Sequence, residues 1–256
     1  MLAKITCLVI TSLTNLACCR PPPSEKTVSP KEDRIQSENP LRNINLGTVS
    51  LITLLHTTVY LLLMTLQDHF QGIYAIQQLQ VLKPWHVAVT LLCFGSVLLR
   101  RWSYRTLDRF FTYRLTIRPG HRLVTTGPYK YLRHPSYTGL FVNFVGTFGF
   151  FIHEGLWDVM VAFVTQGMTY LAHRKVPILS TMAAMSPFPM YAQGAAHPGT
   201  LFGISTGLWL TIMFAMLSFY LTWARIVAEE EMLRKHFKAE WTAYAETRWR
   251  LFPFVF

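Results

Sequence analysis

Long uninterrupted apolar segments dominate the hydrophobic pattern of this chain. Residues 46–66 form a run of 21 residues without Asp, Glu, Lys or Arg, and residues 200–223 form a second run of 24. A helix needs about 20 apolar residues to cross a bilayer core of roughly 30 Å, so each run predicts a membrane-spanning helix. Shorter apolar candidates lie at 5–19, 84–99, 138–152 and 156–171. The pattern therefore predicts an all-α fold, a polytopic helical bundle in a membrane.

Composition supports this fold class, and the charge distribution indicates the cytosolic side. Hydrophobic residues make up 51% of the chain and charged residues only 14%, with a formal net charge of +11. Residues 100–133, which follow a span candidate, contain nine Lys or Arg and a single acid, Asp108. Positive charge beside a span marks the cytosolic side of a membrane. Membrane orientation thus explains most of the excess, and no nucleic-acid partner is expected.

The predicted spans divide the chain into four segments. They are an N-terminal span or signal (1–19), a polar linker (20–43), a transmembrane hairpin (44–99) and a second membrane region (100–256), which contains an insertion at 156–199. Residues 1–19 fit either a retained first span or a secretory signal. Cytosolic flanks on both sides of 138–223 require an even number of crossings, whereas this region contains three apolar candidates. We therefore expect that 156–171 does not cross the membrane by itself, and that it is re-entrant, interfacial or a continuation of the helix before it.

The charged tail after the last apolar run predicts an amphipathic helix. Apolar and aromatic residues recur at broadly helical spacing from Arg225 onward, namely Ile226, Met232, Leu233, Phe237, Trp241 and Tyr244. Pro253 is expected to end this helix, because proline cannot continue one. A helix that leaves a span with aromatic residues on one face is expected to lie along the membrane surface.

The cysteines and the common enzyme motifs exclude several classes. Four cysteines, at positions 7, 18, 19 and 93, include no CxxC pair, so no metal site is expected. Cys18 and Cys19 border an apolar run, where they are either palmitoylated or ordinary residues of a membrane helix. The sequence has no HExxH, P-loop or GxGxxG motif. Metalloprotease, nucleotide hydrolase and soluble-type dehydrogenase functions therefore lose support.

Two polar clusters flank the last apolar hairpin. The first is HRLVTTGPYKYLRHPSY at 121–137, and the second is RIVAEEE at 225–231. Each has a structural interpretation when taken alone. Pro135 suits the first turn of a helix, and Arg225 and Glu229, four residues apart, suit a charge pair at the membrane interface. Because an apolar hairpin separates them, the two clusters are expected on the same face of the membrane.

Together the two clusters resemble the motifs of a known enzyme family. The element GPYKYLRHPSYTG, an apolar hairpin, then R-x-x-x-EEE-x-L-x-x-x-F-x-x-x-W-x-x-Y and a final FPF are similar to the isoprenylcysteine carboxyl methyltransferases. The resemblance covers about residues 84–256 and rests on two separated motifs in the right order and spacing. The RHPxYxG element alone is less specific, because phospholipid methyltransferases and other membrane enzymes have a similar one.

This resemblance implies a multi-pass enzyme of the endoplasmic reticulum membrane, with 100–256 as its catalytic region and a cytosol-facing cofactor pocket. Its reaction would transfer a methyl group from S-adenosylmethionine to the C-terminal carboxylate of a farnesylated or geranylgeranylated cysteine in CaaX proteins. Arg225 resembles the residue that holds and orients the substrate. The implied cofactor contacts are His121, Arg122, Leu123, Val124, Tyr129, His134, Pro135, Ser136, Tyr137 and Glu229. Arg114 stands where the family has Gln, so no role is carried over to it.

Two other functions are compatible with the sequence. A phospholipid N-methyltransferase would need a base to deprotonate its ammonium substrate, and the aromatic tail motif argues against it. A non-catalytic membrane scaffold protein of the same fold is expected to have lost the cofactor residues, whereas both motifs are intact here.

Overall fold

The computed structural model describes residues 1–20, 46–70, 73–111, 117, 120–173, 200–201 and 204–254. The α-helices are α1 (Leu2–Cys19), α2 (Leu46–Thr65), α3 (Tyr74–Gln78), α4 (Pro84–Leu107), α5 (Pro135–Ile152), α6 (Leu156–His173), α7 (Thr206–Phe237) and α8 (Ala239–Glu246). Short 3₁₀ turns lie at Gln67–Phe70, Asp108–Phe110 and Gly127–Lys130. Arg114 and the greater part of both the predicted linker and the 156–199 insertion lie outside the described residues.

The fold class predicted from the hydrophobic pattern is confirmed. Within the described ranges, four helical segments are long and apolar enough to cross a membrane, at Leu2–Cys19, Gly47–Thr65, Pro135–Val164 and Thr206–Phe237. The described strands are a two-residue antiparallel pair, Thr200–Leu201 with Ile204–Ser205. The structure is therefore all-α and polytopic. Helix α4 forms where 84–99 is predicted, but it continues to Leu107 and is not among the four apolar segments.

Polar side chains within the apolar helix α2 are satisfied by the helix itself. The hydroxyls of Thr57 and Thr58 donate to the carbonyls of Thr53 and Leu54, four residues earlier, at 2.7 and 2.9 Å. Such local bonds remove the cost of placing a hydroxyl in an apolar environment. The threonines in the 46–66 run therefore do not interrupt the span.

The apolar stretch that begins at Pro135 forms two helices instead of one. Helix α5 ends at Ile152 and α6 begins at Leu156. Glu154 lies between them with φ +54°, and a residue in this left-handed region cannot continue a right-handed helix. Its carboxylate accepts hydrogen bonds from Lys83 Nζ at 2.6 Å and Trp85 Nε1 at 3.2 Å. Residues 156–171 therefore begin a separate helix after a break at 153–155, and their re-entrant or interfacial location stays a prediction.

One compact unit contains Met1–Ser12, Ile52–Thr90 and the described part of Val145–Ala215. Its core includes Leu8, Tyr60 and Phe150, each fully buried. Lys4 is buried with them, and its Nζ donates to Val81 O at 2.9 Å and lies 2.6 Å from His86 Nε2. A buried ammonium or amine requires such partners. Helix α1 therefore contributes both apolar and polar contacts to this core.

A second compact unit contains the described parts of Leu13–Leu51, Leu91–Phe144 and Met216–Phe256. Both polar clusters lie in this unit. It also contains Cys18 and Cys19, which are 1% and 3% exposed. Because both thiols are covered by protein, the interpretation of these cysteines as ordinary helix residues is the one that the structure supports.

The tail forms two helices, so the prediction of one helix ending at Pro253 is wrong. Helix α7 ends at Phe237, Lys238 interrupts the helical conformation, and α8 runs from Ala239 to Glu246. Helical spacing of apolar residues continues across this break, which is why the pattern does not reveal it. Trp241 and Tyr244 are 5% exposed each. These two rings pack inside the protein instead of facing a membrane surface.

The break generates a stability prediction. Lys238 has φ +51° and ψ −118°, a conformation that strains a residue with a Cβ and favours glycine. We expect Lys238→Gly to raise the free energy of unfolding by about 1 kcal/mol, because relief of this strain exceeds the added entropy of the unfolded chain. Lys238→Ala keeps the Cβ and is the control, with no gain expected. Thermal unfolding in detergent measures both, and a glycine variant no more stable than the alanine variant would contradict the strain argument.

Candidate active site

The first polar cluster folds into a turn followed by the start of α5. Pro135 is the first residue of α5, where a residue without an N–H is tolerated because no helical partner exists. The His134 carbonyl accepts hydrogen bonds from the Tyr137 and Thr138 amides at 3.0 and 3.1 Å. The RHPSY sequence thus forms a helix entry, and this entry brings the ring centroids of His134 and Tyr137 to 5.7 Å from each other.

Gly139 allows α4 to approach this first turn closely. A Cβ at position 139 would lie 2.6 Å from the Ser96 carbonyl oxygen and 3.2 Å from Arg100 Cβ. The first of these distances is shorter than real contacts allow, so a side chain here would force the helices apart. The glycine that ends RHPSYTG therefore has a packing role in this structure.

Tyr137 joins the two charged residues of the second cluster. Arg225 Nε donates to the Tyr137 hydroxyl oxygen at 3.2 Å, and that hydroxyl donates to Glu229 Oε2 at 2.6 Å. Arg225 is only 4% exposed. Because its side chain points into the protein and bonds to α5, the structure does not support the interpretation of Arg225 and Glu229 as a simple charge pair at the membrane interface.

Glu230 binds three basic side chains and anchors the site. Its carboxylate lies 3.4 Å from Arg133 Nη1, 3.1 Å from His134 Nε2 and 3.0 Å from Arg250 Nη2. The side chain of Glu230 is 13% exposed and that of His134 is 3% exposed. His134 also faces Glu229, at 3.8 Å from its Nδ1. The imidazole is thus held between two carboxylates, which fixes its ring orientation.

The chain after α8 pairs with the first cluster along its backbone. The Arg133 and His134 amides donate to the Trp249 and Arg250 carbonyls at 2.8 and 3.1 Å, and the Trp249 amide donates to the Tyr131 carbonyl at 3.2 Å. The Thr138 hydroxyl donates to Leu251 O at 2.6 Å. Residues 248–251, which we call the tail strap, therefore hold the entry of α5 from outside.

Two buried tyrosines add to this packing. The Tyr244 hydroxyl donates to Tyr129 O at 3.0 Å. Burial raises the pKa of Tyr129 well above its ordinary value, and the nearby carboxylate of Glu229 raises it further. Burial also raises the pKa of Tyr244 to about 12. Both phenols therefore stay protonated at physiological pH, and Tyr129 lies close enough to Glu229 to be affected by its charge.

The segment 121–124 lies against the end of α7. The His121 ring packs on the rings of Phe110 and Phe237, with centroids 5.0 and 5.7 Å apart. Arg122 is exposed, and Leu123 and Val124 are half-buried. Phe237 is eight residues beyond Glu229 on α7, a distance of about 12 Å along the helix axis. The His121 ring therefore contacts α7 further along the helix than Arg225 and Glu229.

The structure thus brings most of the sequence-predicted residues together and adds others. His134, Tyr137, Arg225 and Glu229 share one network of contacts, Tyr129 lies close enough to Glu229 to be affected by its charge, and Ser136 bonds to Arg100. Sequence reasoning did not single out Glu230, Arg133, Arg250 or Arg100. The run of three glutamates in EEE was a signal for Glu230, but nothing in the sequence separates one glutamate of this run from the next. Among the described side chains, no group of three or more His, Cys, Asp or Glu residues is placed to hold a metal ion.

Comparisons with known proteins bear on the first cluster. Residues 88–176 match the isoprenylcysteine carboxyl methyltransferase (ICMT) family. The chain is also similar to protein-S-isoprenylcysteine O-methyltransferase B of Arabidopsis thaliana, with 41% identity over 61 residues, which are 23% of this chain and 30% of the relative. No solved structure matches the chain. The resemblance seen in the sequence is confirmed over 88–176, a region that contains the first cluster and ends before Arg225.

The contacts of Glu230 generate a prediction about the tail strap. Glu230→Ala should lower the free energy of unfolding by up to about 3 kcal/mol, because it leaves partly buried basic groups without their shared carboxylate. It should also speed trypsin cleavage at Arg248 and Arg250 in the folded protein. Glu231→Ala is the matched control, since Glu231 lies on the surface with Arg234 and Lys235. Equal cleavage rates in the two variants would show that Glu230 does not hold the strap.

Proposed function

We propose that this chain, whose residues 88–176 match the isoprenylcysteine carboxyl methyltransferase family, methylates the C-terminal carboxylate of prenylated cysteine in proteins with S-adenosylmethionine as the methyl donor. The observation that carries the proposal is the contact between Arg225, Tyr137 and Glu229. It places a fixed cation and a carboxylate next to one another at the entry of an apolar helix. A reaction between an anionic acceptor and a cationic donor requires such a pair.

The residues near Glu229 suit a cationic cofactor. The Glu229 side chain keeps 27% exposure, whereas Glu230 keeps 13% and is surrounded by basic groups. Glu229 is therefore the carboxylate that can pair with the ammonium of the cofactor. The rings of Tyr129 and Tyr137 can stabilise a sulfonium by cation–π attraction, worth about 0.5–2 kcal/mol. S-adenosylmethionine, when bound, supplies a methyl group on a positively charged sulfur.

The acceptor needs orientation more than activation. An α-carboxylate has a pKa of about 3.5, so it is ionised at neutral pH and needs no general base. An arginine fork is suited to hold a carboxylate, and its charge cannot be lost by deprotonation. Arg225 would orient the carboxylate, and the rigid surroundings would exclude water. Alignment is then the main contribution, with effective molarities of about 10⁵–10⁸ M for well-oriented groups.

The position of the site fits a substrate that is half lipid and half protein. The prenyl chain is apolar and resides in the bilayer, whereas the cofactor is dissolved in water. They can meet only at the edge of the membrane, where α5 begins and where α7 carries its charged turns. The positive charge of 100–133 supports a cytosolic location of this edge. We propose the endoplasmic reticulum as the membrane, by resemblance to the family alone.

The decisive experiment measures transfer of labelled methyl from S-adenosylmethionine to N-acetyl-farnesylcysteine by membranes that contain the protein. Release of labelled methanol by base identifies a carboxyl methyl ester. Phosphatidylethanolamine is offered in parallel as the acceptor of a phospholipid N-methyltransferase. Methylation of the phospholipid alone would overturn the proposed function and would identify a phospholipid N-methyltransferase. Cofactor binding without methyl transfer to either acceptor would also overturn the proposed function. No binding would favour the scaffold protein.

Arg225 and Glu229 are expected to act on different partners. Arg225→Ala should lower kcat by about 10²-fold or more, because the carboxylate loses its orienting charge. Its cofactor affinity should be nearly unchanged, because Tyr137 still bonds to Glu229. Glu229→Ala should instead raise the Kd for S-adenosylmethionine by about tenfold or more. Direct binding of labelled cofactor and steady-state kinetics measure the two effects, and equal cofactor affinity in both variants would refute the division of roles.

Tyr137 is expected to contribute its ring and its hydroxyl separately. Tyr137→Phe keeps the ring and removes the bridge between Arg225 and Glu229, so kcat should fall while cofactor affinity changes by less than about threefold. Tyr137→Ala removes both and should weaken cofactor binding as well. The same binding and kinetic measurements apply. If the phenylalanine variant lost as much affinity as the alanine variant, the ring would have no part in binding.

A further inference from the structure

Arg100, on α4, is a buried cation that neither polar cluster contains. It is 4% exposed. Arginine keeps its charge in any environment, so burial of this side chain is costly unless its donors are used. Three of its contacts are charge-assisted hydrogen bonds, and they go to two different helices.

The first contact joins Arg100 to the end of α1. Its Nε donates to the Cys18 carbonyl oxygen at 2.9 Å. Cys18 is the second-last residue of α1, and the last four carbonyls of a helix have no helical partner and carry partial negative charge. The guanidinium therefore caps the C-terminus of α1 with a donor and with a positive charge.

The second and third contacts join Arg100 to the first turn of α5. Its Nη1 donates to the Ser136 carbonyl oxygen at 3.0 Å and to the Ser136 hydroxyl oxygen at 2.8 Å. Because the hydroxyl oxygen accepts from Arg100, the Ser136 O–H is directed away from the guanidinium. The Ser136 hydroxyl proton is thus available to a group other than Arg100, and the bond to Arg100 limits the directions it can take.

Local packing explains how one side chain reaches both helices. The backbone of α4 near Arg100 approaches α5 at Gly139, where no Cβ intervenes. The Tyr104 ring, one turn further along α4, lies 4.9 Å from the guanidinium carbon and covers its face. A cation between an aromatic face and two hydrogen-bonded helices has little freedom. The Arg100 side chain therefore has few alternative conformations.

We propose that Arg100 is a positioning residue of the methyl-transfer site, which sets the first turn of α5 through Ser136 and makes the end of α1 part of the same scaffold. This inference rests on the proposed function. Arg100 does not touch the reacting groups. It acts on cofactor binding by fixing Ser136 and, through the helix entry, Tyr137.

The test compares the same substitution at two neighbouring arginines in the full chain. Arg100→Met should raise the Kd for labelled S-adenosylmethionine by about tenfold or more, as expected for lost charge-assisted hydrogen bonds. The KM for N-acetyl-farnesylcysteine should change by less than about threefold, because Arg225 is untouched. Arg101→Met is the control, since Arg101 is exposed, and it should change neither value. Arg100→Lys keeps the charge and one donor, and should recover part of the affinity.

A double-mutant cycle separates positioning from simple stabilisation. Ser136→Ala should weaken cofactor binding by itself, and Arg100→Met combined with Ser136→Ala should be little worse than Arg100→Met alone. Independent, additive losses would mean that Arg100 does not act through Ser136. If Arg100→Met does not fold, the same cycle of cofactor affinities is measured with Arg100→Lys, Ser136→Ala and their combination. Tm is recorded for every variant.

The outcomes for this proposal and for the proposed function are distinct. A lower Tm for the Arg100 variants with unchanged cofactor affinity would overturn the positioning role and leave only a cap on α1. Wild-type protein that binds S-adenosylmethionine but methylates a different acceptor would overturn the proposed function alone. Wild-type protein that binds no cofactor would overturn both.

Discussion

The carboxylate of Glu230 is the contact on which the candidate site depends. It binds Arg133 and His134 at the entry of α5 and Arg250 in the tail strap. Basic residues are abundant here, with nine Lys or Arg in 100–133 alone. Without a shared anion, the basic groups of the strap and the helix entry would repel one another where water screens poorly. One carboxylate therefore allows the tail to pair with the first cluster and to close around it.

Three consecutive glutamates have three different roles because successive residues of a helix point about 100° apart. Glu229 faces Tyr137, Glu230 faces the basic cluster, and Glu231 faces solvent with Arg234 and Lys235. Only Glu229 combines a specific aromatic partner with appreciable exposure. The difference between a structural carboxylate and a candidate ligand is thus a matter of direction, and the residue type is the same.

Buried arginines connect the membrane helices to this site. Arg100 and Arg225 are each 4% exposed, and each donates to a residue in the first two turns of α5. A guanidinium can make several directed hydrogen bonds while keeping its charge, which suits it to a place between helices at a membrane edge. The first turn of α5 is thereby held by α4 from one side, by α7 from another and by the tail strap through its backbone. A rigid helix entry of this kind is what alignment of two reactants requires.

The sequence by itself determined the helices and most of the residues that meet at the site. Apolar runs of about 20 residues become spans whatever surrounds them, because the bilayer thickness and backbone hydrogen bonding act locally. Helical spacing likewise placed Arg225 and Glu229 on one face. Only the tertiary structure decided the break at Lys238, the inward direction of Trp241 and Tyr244, and the parts played by Glu230 and Arg100. The parts played by Glu230 and Arg100 and the inward direction of Tyr244 depend on contacts between residues 20 to 115 positions apart. No local pattern encodes such a contact, because each partner is chosen by how the helices pack and by which buried charges must be paired.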